Sequence, residues 1–272
     1  MALIKALILG IVQGLTEFLP VSSSAHLIIF PKLLGWEEQS LSFDTTLHLG
    51  TLFALLVVFW KDIFSIIKSF LKDVEKHKTS INHYSSESML GIKIFIASIP
   101  VGLIGLFFGD FLETTFRNIW YVVLFLLVGT FVMFVAEKKF KKRMLVKDEI
   151  SISKSFNVGL FQALALLPGI SRSGSTISGG MIFGLSRKEA TRFSFLLAIP
   201  AVLAAGISQL FSSFDYFNMA DFAPMVVGFL SSSLVGFFAI KLMLKFVRNN
   251  KLYPFIYYRL GLALFLIILF YI

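Results

Sequence analysis

The 272-residue sequence predicts an all-α, polytopic membrane protein: six full transmembrane helices, two re-entrant helix–loop–helix pairs, and an inverted-topology repeat. Three observations carry this. The chain is 57% hydrophobic and only 15% charged, where a soluble domain carries about a quarter charged residues. Long apolar runs recur from end to end as continuous stretches, without the alternating segments of about ten residues that mark a membrane β-barrel. A short polar run inside apolar sequence also occurs twice. Gly10-Ile-Val-Gln13 leads into Leu19-Pro20-Val-Ser22-Ser23-Ser24, and Gly159-Leu-Phe-Gln162 leads into Leu167-Pro168-Gly-Ile-Ser171-Arg172-Ser173. In both copies the first serine follows the glycine by twelve residues.

The stretch 1–19 followed by 24–34 is broken by Pro20 and the serines, and so is 155–167 followed by 174–185. Each half is too short or too interrupted to cross about 30 Å of hydrocarbon, so each pair reads as re-entrant. A leader-peptide reading of residues 1–20 fits less well. Gln13, Thr16 and Glu17 interrupt its core, and no small-residue cleavage site follows. Full spans read at 44–60, 90–109, 118–136, 190–211, 222–241 and 254–271. Between the first two, 61–88 reads as an amphipathic surface helix and a polar loop.

Basic residues fix the orientation. Lys61, Lys68, Lys72, Lys76 and Lys78 lie in 61–88; Lys138, Lys139, Lys141, Lys142, Arg143, Lys147 and Lys154 lie in 137–154. Arg187, Lys188 and Arg192 follow, then Lys241, Lys245, Arg248 and Lys251. These segments hold 19 of the 25 basic residues, whereas Glu37, Glu38, Asp44, Asp110, Glu113, Arg117, Asp215 and Asp221 mark the other connections. With six spans and two returning pairs, every basic segment falls on one face, cytoplasmic by the positive-inside tendency. Both termini are then extracytoplasmic, and the +9 net charge is loop bias rather than a nucleic-acid surface. The first pair enters from outside and the second from the cytoplasm. The chain therefore reads as one domain, 1–272, with inverted repeats of about 1–136 and 155–272 joined by the basic loop 137–154. Such repeats place a site near the midplane where interrupted helices meet.

Gln13 and Glu17 stand at i and i+4, on one helix face. A carboxylate inside a membrane segment is a functional candidate by default. Glu17 suits a divalent-metal ligand or general base, with Gln13 adding an amide oxygen of the kind Mg²⁺ and Ca²⁺ accept. The plainer reading puts Glu17 at a wet interface or on the next helix as a cap. Ser22, Ser23 and Ser24 suit helix N-caps. His26, three residues past Ser23, is close enough to approach its hydroxyl, and a serine beside a base is a nucleophile arrangement.

Around Arg172, the residues Ser171, Ser173, Gly174, Ser175 and Thr176 suit an oxyanion at a helix N-terminus. Arg172 can grip phosphate bidentately; its plainer reading is an ion pair with Glu17. No Gly-Lys-Ser/Thr ending appears, so this is not a Walker loop. His48 lies in an apolar span near Asp44 and could line the cavity, while His77 and His83 fall in the polar segment. Zero cysteines exclude disulfides and thiolate chemistry.

At these two motifs the chain resembles the undecaprenyl-diphosphate phosphatase family, the bacitracin-resistance proteins of bacterial plasma membranes. The most specific parts are Gln13-Gly-Leu-Thr-Glu17-Phe-Leu-Pro-Val-Ser-Ser-Ser-Ala-His26 and Leu167-Pro-Gly-Ile-Ser-Arg-Ser-Gly174, supported by Arg192-Phe-Ser-Phe-Leu-Leu-Ala-Ile-Pro200. The resemblance covers essentially the whole length. It implies removal of one phosphate from undecaprenyl diphosphate, with Glu17, Ser23, His26 and Arg172 catalytic and a divalent cation at Glu17 and Gln13. Ser22, Ser24, Ser171, Ser173, Gly174 and Thr176 would bind the head group. Gln13 stands where the family's first acidic position falls, and Ala25 where glycine is common. The expected partners are a polyprenyl diphosphate and membrane lipids, and a homodimer stays open. The rivals are a transporter or flippase for an anionic lipid and a structural membrane subunit.

Overall fold

Serine hydroxyls start most of the helices. Ser22, Ser40, Ser85, Ser151 and Ser171 each accept the backbone N–H three residues on, and Ser186 accepts that of Glu189. Each satisfies a donor that the first helical turn leaves without a partner. The computed structural model describes residues 3–116, 118–141, 149–213 and 222–271. Arg117, Lys142, Arg143, Lys147, Asp215 and Asp221, part of the loop-charge pattern, lie outside the described residues.

The helices are α1 (Leu3–Phe18), α2 (Ser23–Leu33), α3 (Leu41–Val58), α4 (Trp60–His77), α5 (Ser86–Thr115), α6 (Ile119–Lys141), α7 (Ile152–Leu164), α8 (Arg172–Phe183), α9 (Arg187–Ser213), α10 (Phe222–Asn249) and α11 (Tyr253–Tyr271). Six of them, α3, α5, α6, α9, α10 and α11, are long and apolar enough to cross a membrane. They match the six expected spans, and several run further. α6 continues to Lys141 and α10 to Asn249, because lysine stems carry a helix past the end of its apolar run while their charges reach water. The paired helices are short: 16 and 11 residues in α1 and α2, 13 and 12 in α7 and α8.

α4 leaves Trp60, Phe64, Ile67 and Leu71 exposed beside Lys61, Lys68 and Lys72, the make-up of a helix lying in the membrane surface. Its Asp73 ties α4 to α5. The carboxylate accepts the Ser85 N–H at 2.8 Å, the Ser85 hydroxyl at 2.7 Å and the Ser88 hydroxyl at 2.6 Å. These bonds, with that from Ser88 the largest cause, lower its pKa to about 2.

α1 lies against α10, and α7 against α5. Glycines make both contacts possible: a Cβ on Gly10 would stand 1.8 Å from Ser231 Oγ, and one on Gly159 would stand 2.3 Å from the Ala97 carbonyl. Small residues let membrane helices approach to backbone contact. α8 sits among α6, α7 and α9, and α11 packs on α6. The tips joining α1 to α2 and α7 to α8 therefore face each other inside the bundle.

Candidate active site

Each tip ends on the same unusual residue. Ser22 has φ 76° and ψ 94°, and Ser171 has φ 75° and ψ 112°. Non-glycine residues seldom enter this region, which costs about 1–3 kcal/mol and is held only by its surroundings. Both serines cap the helix that follows, so α2 and α8 point their N-terminal, electropositive ends at the space between the tips.

The tips are stitched together. Ser24 Oγ accepts the Gly169 N–H at 3.4 Å, and Ser173 donates to the Leu19 carbonyl at 3.1 Å. Arg172 Nη2 donates to Glu17 Oε1 at 2.8 Å. Glu17 is 6% exposed, and its other oxygen accepts the Ser23 hydroxyl at 2.5 Å and Gln13 Nε2 at 3.1 Å. Gln13 Nε2 also meets His48 Nδ1 at 2.9 Å, so His48 lines the site.

Two polar atoms here lack a hydrogen-bond partner among the described residues: Arg172 Nη1 and Gln13 Oε1, both buried. A buried polar atom without a partner costs about 1–3 kcal/mol, so each is an opening for a ligand. Arg172 holds Glu17 with one nitrogen and leaves the other without a partner among the described residues. Gln13 Oε1 beside the Glu17 carboxylate is a hard-oxygen pair. Among the described residues no group of three or more His, Cys, Asp or Glu side chains stands ready for a metal. The donors therefore fit an Mg²⁺-like cation that keeps water and phosphate oxygens, not one caged by protein alone.

Four expectations need correction in their geometry. His26 does not approach Ser23: its Nδ1 meets the Ser22 carbonyl at 2.7 Å and its Nε2 meets Tyr258 Oη at 2.7 Å. The side chain that meets the Ser23 hydroxyl is instead the Glu17 carboxylate. The Thr176 hydroxyl turns away from the tip, bonding the Arg172 carbonyl at 2.7 Å and Ser194 Oγ at 2.5 Å. The Gly174 N–H is taken by its own cap, Ser171, at 3.1 Å. Ser173 is spent on Leu19 rather than left for a ligand. In a dry interior, buried hydroxyls, ring nitrogens and N–H groups take up the protein partners within reach.

Arg259 of α11 escaped the sequence reading. It is fully buried, and its Nη2 donates to the carbonyls of Gly169 at 2.8 Å, Ile170 at 3.1 Å and Leu126 at 2.9 Å; its Nε donates to Thr130 Oγ1 at 2.8 Å. It fixes the second tip against α6. A lone arginine in an apolar span was the available signal.

The family described as bacitracin resistance protein BacA matches residues 6–265. The chain belongs to this family. Similar relatives named undecaprenyl-diphosphatase occur in Methanosphaera stadtmanae, 40% identical and covering 98% of each chain, and in Thermodesulfovibrio yellowstonii, 40% identical over 99% of this chain and 98% of the relative. Another, in a Nocardioides species, is 39% identical over 96% of this chain and 93% of the relative. With its six apolar helices, this BacA-family chain is a multi-pass membrane protein.

Proposed function

We propose that the protein is an integral-membrane hydrolase that removes the terminal phosphate of undecaprenyl diphosphate to give undecaprenyl phosphate, the recycled lipid carrier of cell-wall synthesis. The observation that carries this reading is the meeting of Ser23 and Arg172, one from each tip, on the buried Glu17 carboxylate. The names of the relatives supply the substrate.

The diphosphate head enters between the tips and the lipid tail leaves laterally between helices. Arg172 Nη1 and the N-terminal ends of α2 and α8 hold the terminal phosphoryl; Ser22, Ser24 and Ser171 keep the two loops in shape. Phosphoryl transfer asks chiefly for positioning and charge stabilisation. Ser23 attacks the terminal phosphorus as its proton passes to Glu17 Oε2, and the bridging P–O bond breaks to release the lipid monophosphate. Water then opens the phosphoserine. A divalent cation, Mg²⁺ or Ca²⁺, held by Glu17 and Gln13 would offset the diphosphate charge.

The reciprocal packing of α1 on α10 and α7 on α5, and the twin φ/ψ of Ser22 and Ser171, support an inverted repeat. The short helices, about 24 and 17 Å in the first pair and 20 and 18 Å in the second, support re-entrance. Positive-inside bias supports extracytoplasmic termini.

A transporter of anionic lipid shares this architecture, but transport does not call for a serine hydrogen-bonded to a carboxylate. Phosphate release from a polyprenyl diphosphate in detergent, where no two compartments exist, tests the hydrolase reading. It should be seen, should fall with chelator, and should be nearly abolished in Ser23→Ala. Wild-type protein that releases none would refute the reading, and near-normal release by Ser23→Ala would remove the covalent step.

A further inference from the structure

His26 is 3% exposed and closed on both sides. Its Nδ1 can only donate to the Ser22 carbonyl, so in the neutral ring Nε2 carries the lone pair and accepts the Tyr258 hydroxyl. The two rings stack, with centroids 5.8 Å apart and planes within 9°. Phe30 lies on the ring as well, at 6.4 Å. No route to a reacting water is left at His26 itself. Tyr258, by contrast, is 48% exposed, and its oxygen still has acceptor capacity. It is a neighbour in sequence of Arg259, which holds the second tip, so through adjacent residues α11 reaches that tip and the first turn of α2.

We infer that Tyr258 is the outward end of a proton relay through which His26 activates the water that opens the phosphoserine. This rests on the hydrolase reading above. Glu17 already serves Ser23, and in the first step it takes the serine proton, so the second step needs another base. As water attacks phosphorus, its proton passes to Tyr258 Oη while the Tyr258 proton moves to His26 Nε2, giving an imidazolium still bonded to Ser22. The P–Oγ bond breaks and Ser23 recovers its proton from Glu17. The imidazolium returns its proton along the same path to the departing phosphate. Every proton is accounted for, and water is the only co-reactant.

The test separates the two steps. Tyr258→Phe keeps the stacked ring and removes only the hydroxyl. With substrate labelled in its terminal phosphate, this variant should release about one lipid monophosphate per enzyme in a fast burst. It should hold the label on Ser23 and turn over about 10²-fold more slowly, within the range of general acid–base catalysis. Should Tyr258→Phe fail to fold, His26→Gln breaks the other end of the relay and should stall in the same way. Undiminished turnover overturns the relay. So does a loss in which both products fall in parallel with no labelled enzyme, which is how a merely structural residue would behave. Wild-type enzyme that yields no phosphate would instead count against the hydrolase reading.

Discussion

Arg172 and Glu17 meet at 2.8 Å across 155 residues of sequence, with the second guanidinium nitrogen left buried and unpartnered among the described residues. The pair joins the two tips and leaves one cationic hand free.

Arg172→Ala leaves the Glu17 carboxylate buried without its cation and removes the phosphate grip. Turnover should fall by roughly 10³-fold, the scale of losing a preorganised charge stabiliser. Arg172→Lys keeps a charge but cannot serve two anions at once, so it should still lose at least about tenfold. Steady-state kinetics on the purified variants check both, and a fully active lysine variant would refute the two-handed role.

The glycine contacts predict contrasting stabilities. Gly159→Ala drives a methyl into the Ala97 carbonyl and Gly10→Ala drives one into Ser231 and the Gly228 carbonyl, both shorter than side chains tolerate. Each should lower stability by about 1–3 kcal/mol or more. Gly105→Ala meets nothing within 4 Å and should be neutral or slightly stabilising. Thermal unfolding in detergent separates the cases, and equal shifts would contradict the packing.

Arg259→Lys should loosen the second tip, because one ammonium cannot reach three carbonyls and Thr130 together. Hydrogen exchange across residues 165–171 should rise, and kcat should fall with the fold retained. Unchanged protection of that loop would show that the arginine is not its anchor.

Asp73 gives a pH test away from the site. Its folded pKa, about 2, lies below the ordinary carboxylate value. Its contribution is therefore full above about pH 4 and is lost as pH falls from there through 2. Exchange protection of the Ser85 and Ser88 amides, corrected for intrinsic rate, should drop across that window. Asp73→Asn should lack the drop.

Much of this was legible from residue types. Apolar runs marked the six spans, and the doubled Gly…Gln…Ser pattern marked both tips, because polar sequence at membrane depth needs a reason. Glu17, Ser23 and Arg172 followed from that pattern. The partners did not. Closeness in sequence points His26 at Ser23, whereas its hydrogen bonds go to Ser22 and to Tyr258, 232 residues away. His48 joins Gln13 only through the packing of α3 beside α1. Residue type alone makes Thr176 and Gly174 ligand donors, and nothing in the sequence around Thr176 shows that Ser194 claims it first, or that the Ser171 cap takes the Gly174 N–H.

In the proposed mechanism both tips grasp one diphosphate. A structure with a non-hydrolysable methylene diphosphonate lipid bound measures this directly. The account predicts terminal phosphonate oxygens within about 2.7–3.2 Å of Arg172 Nη1, with the same phosphorus facing Ser23 Oγ. A head group held by one tip alone, with Arg172 Nη1 out of reach, would contradict it.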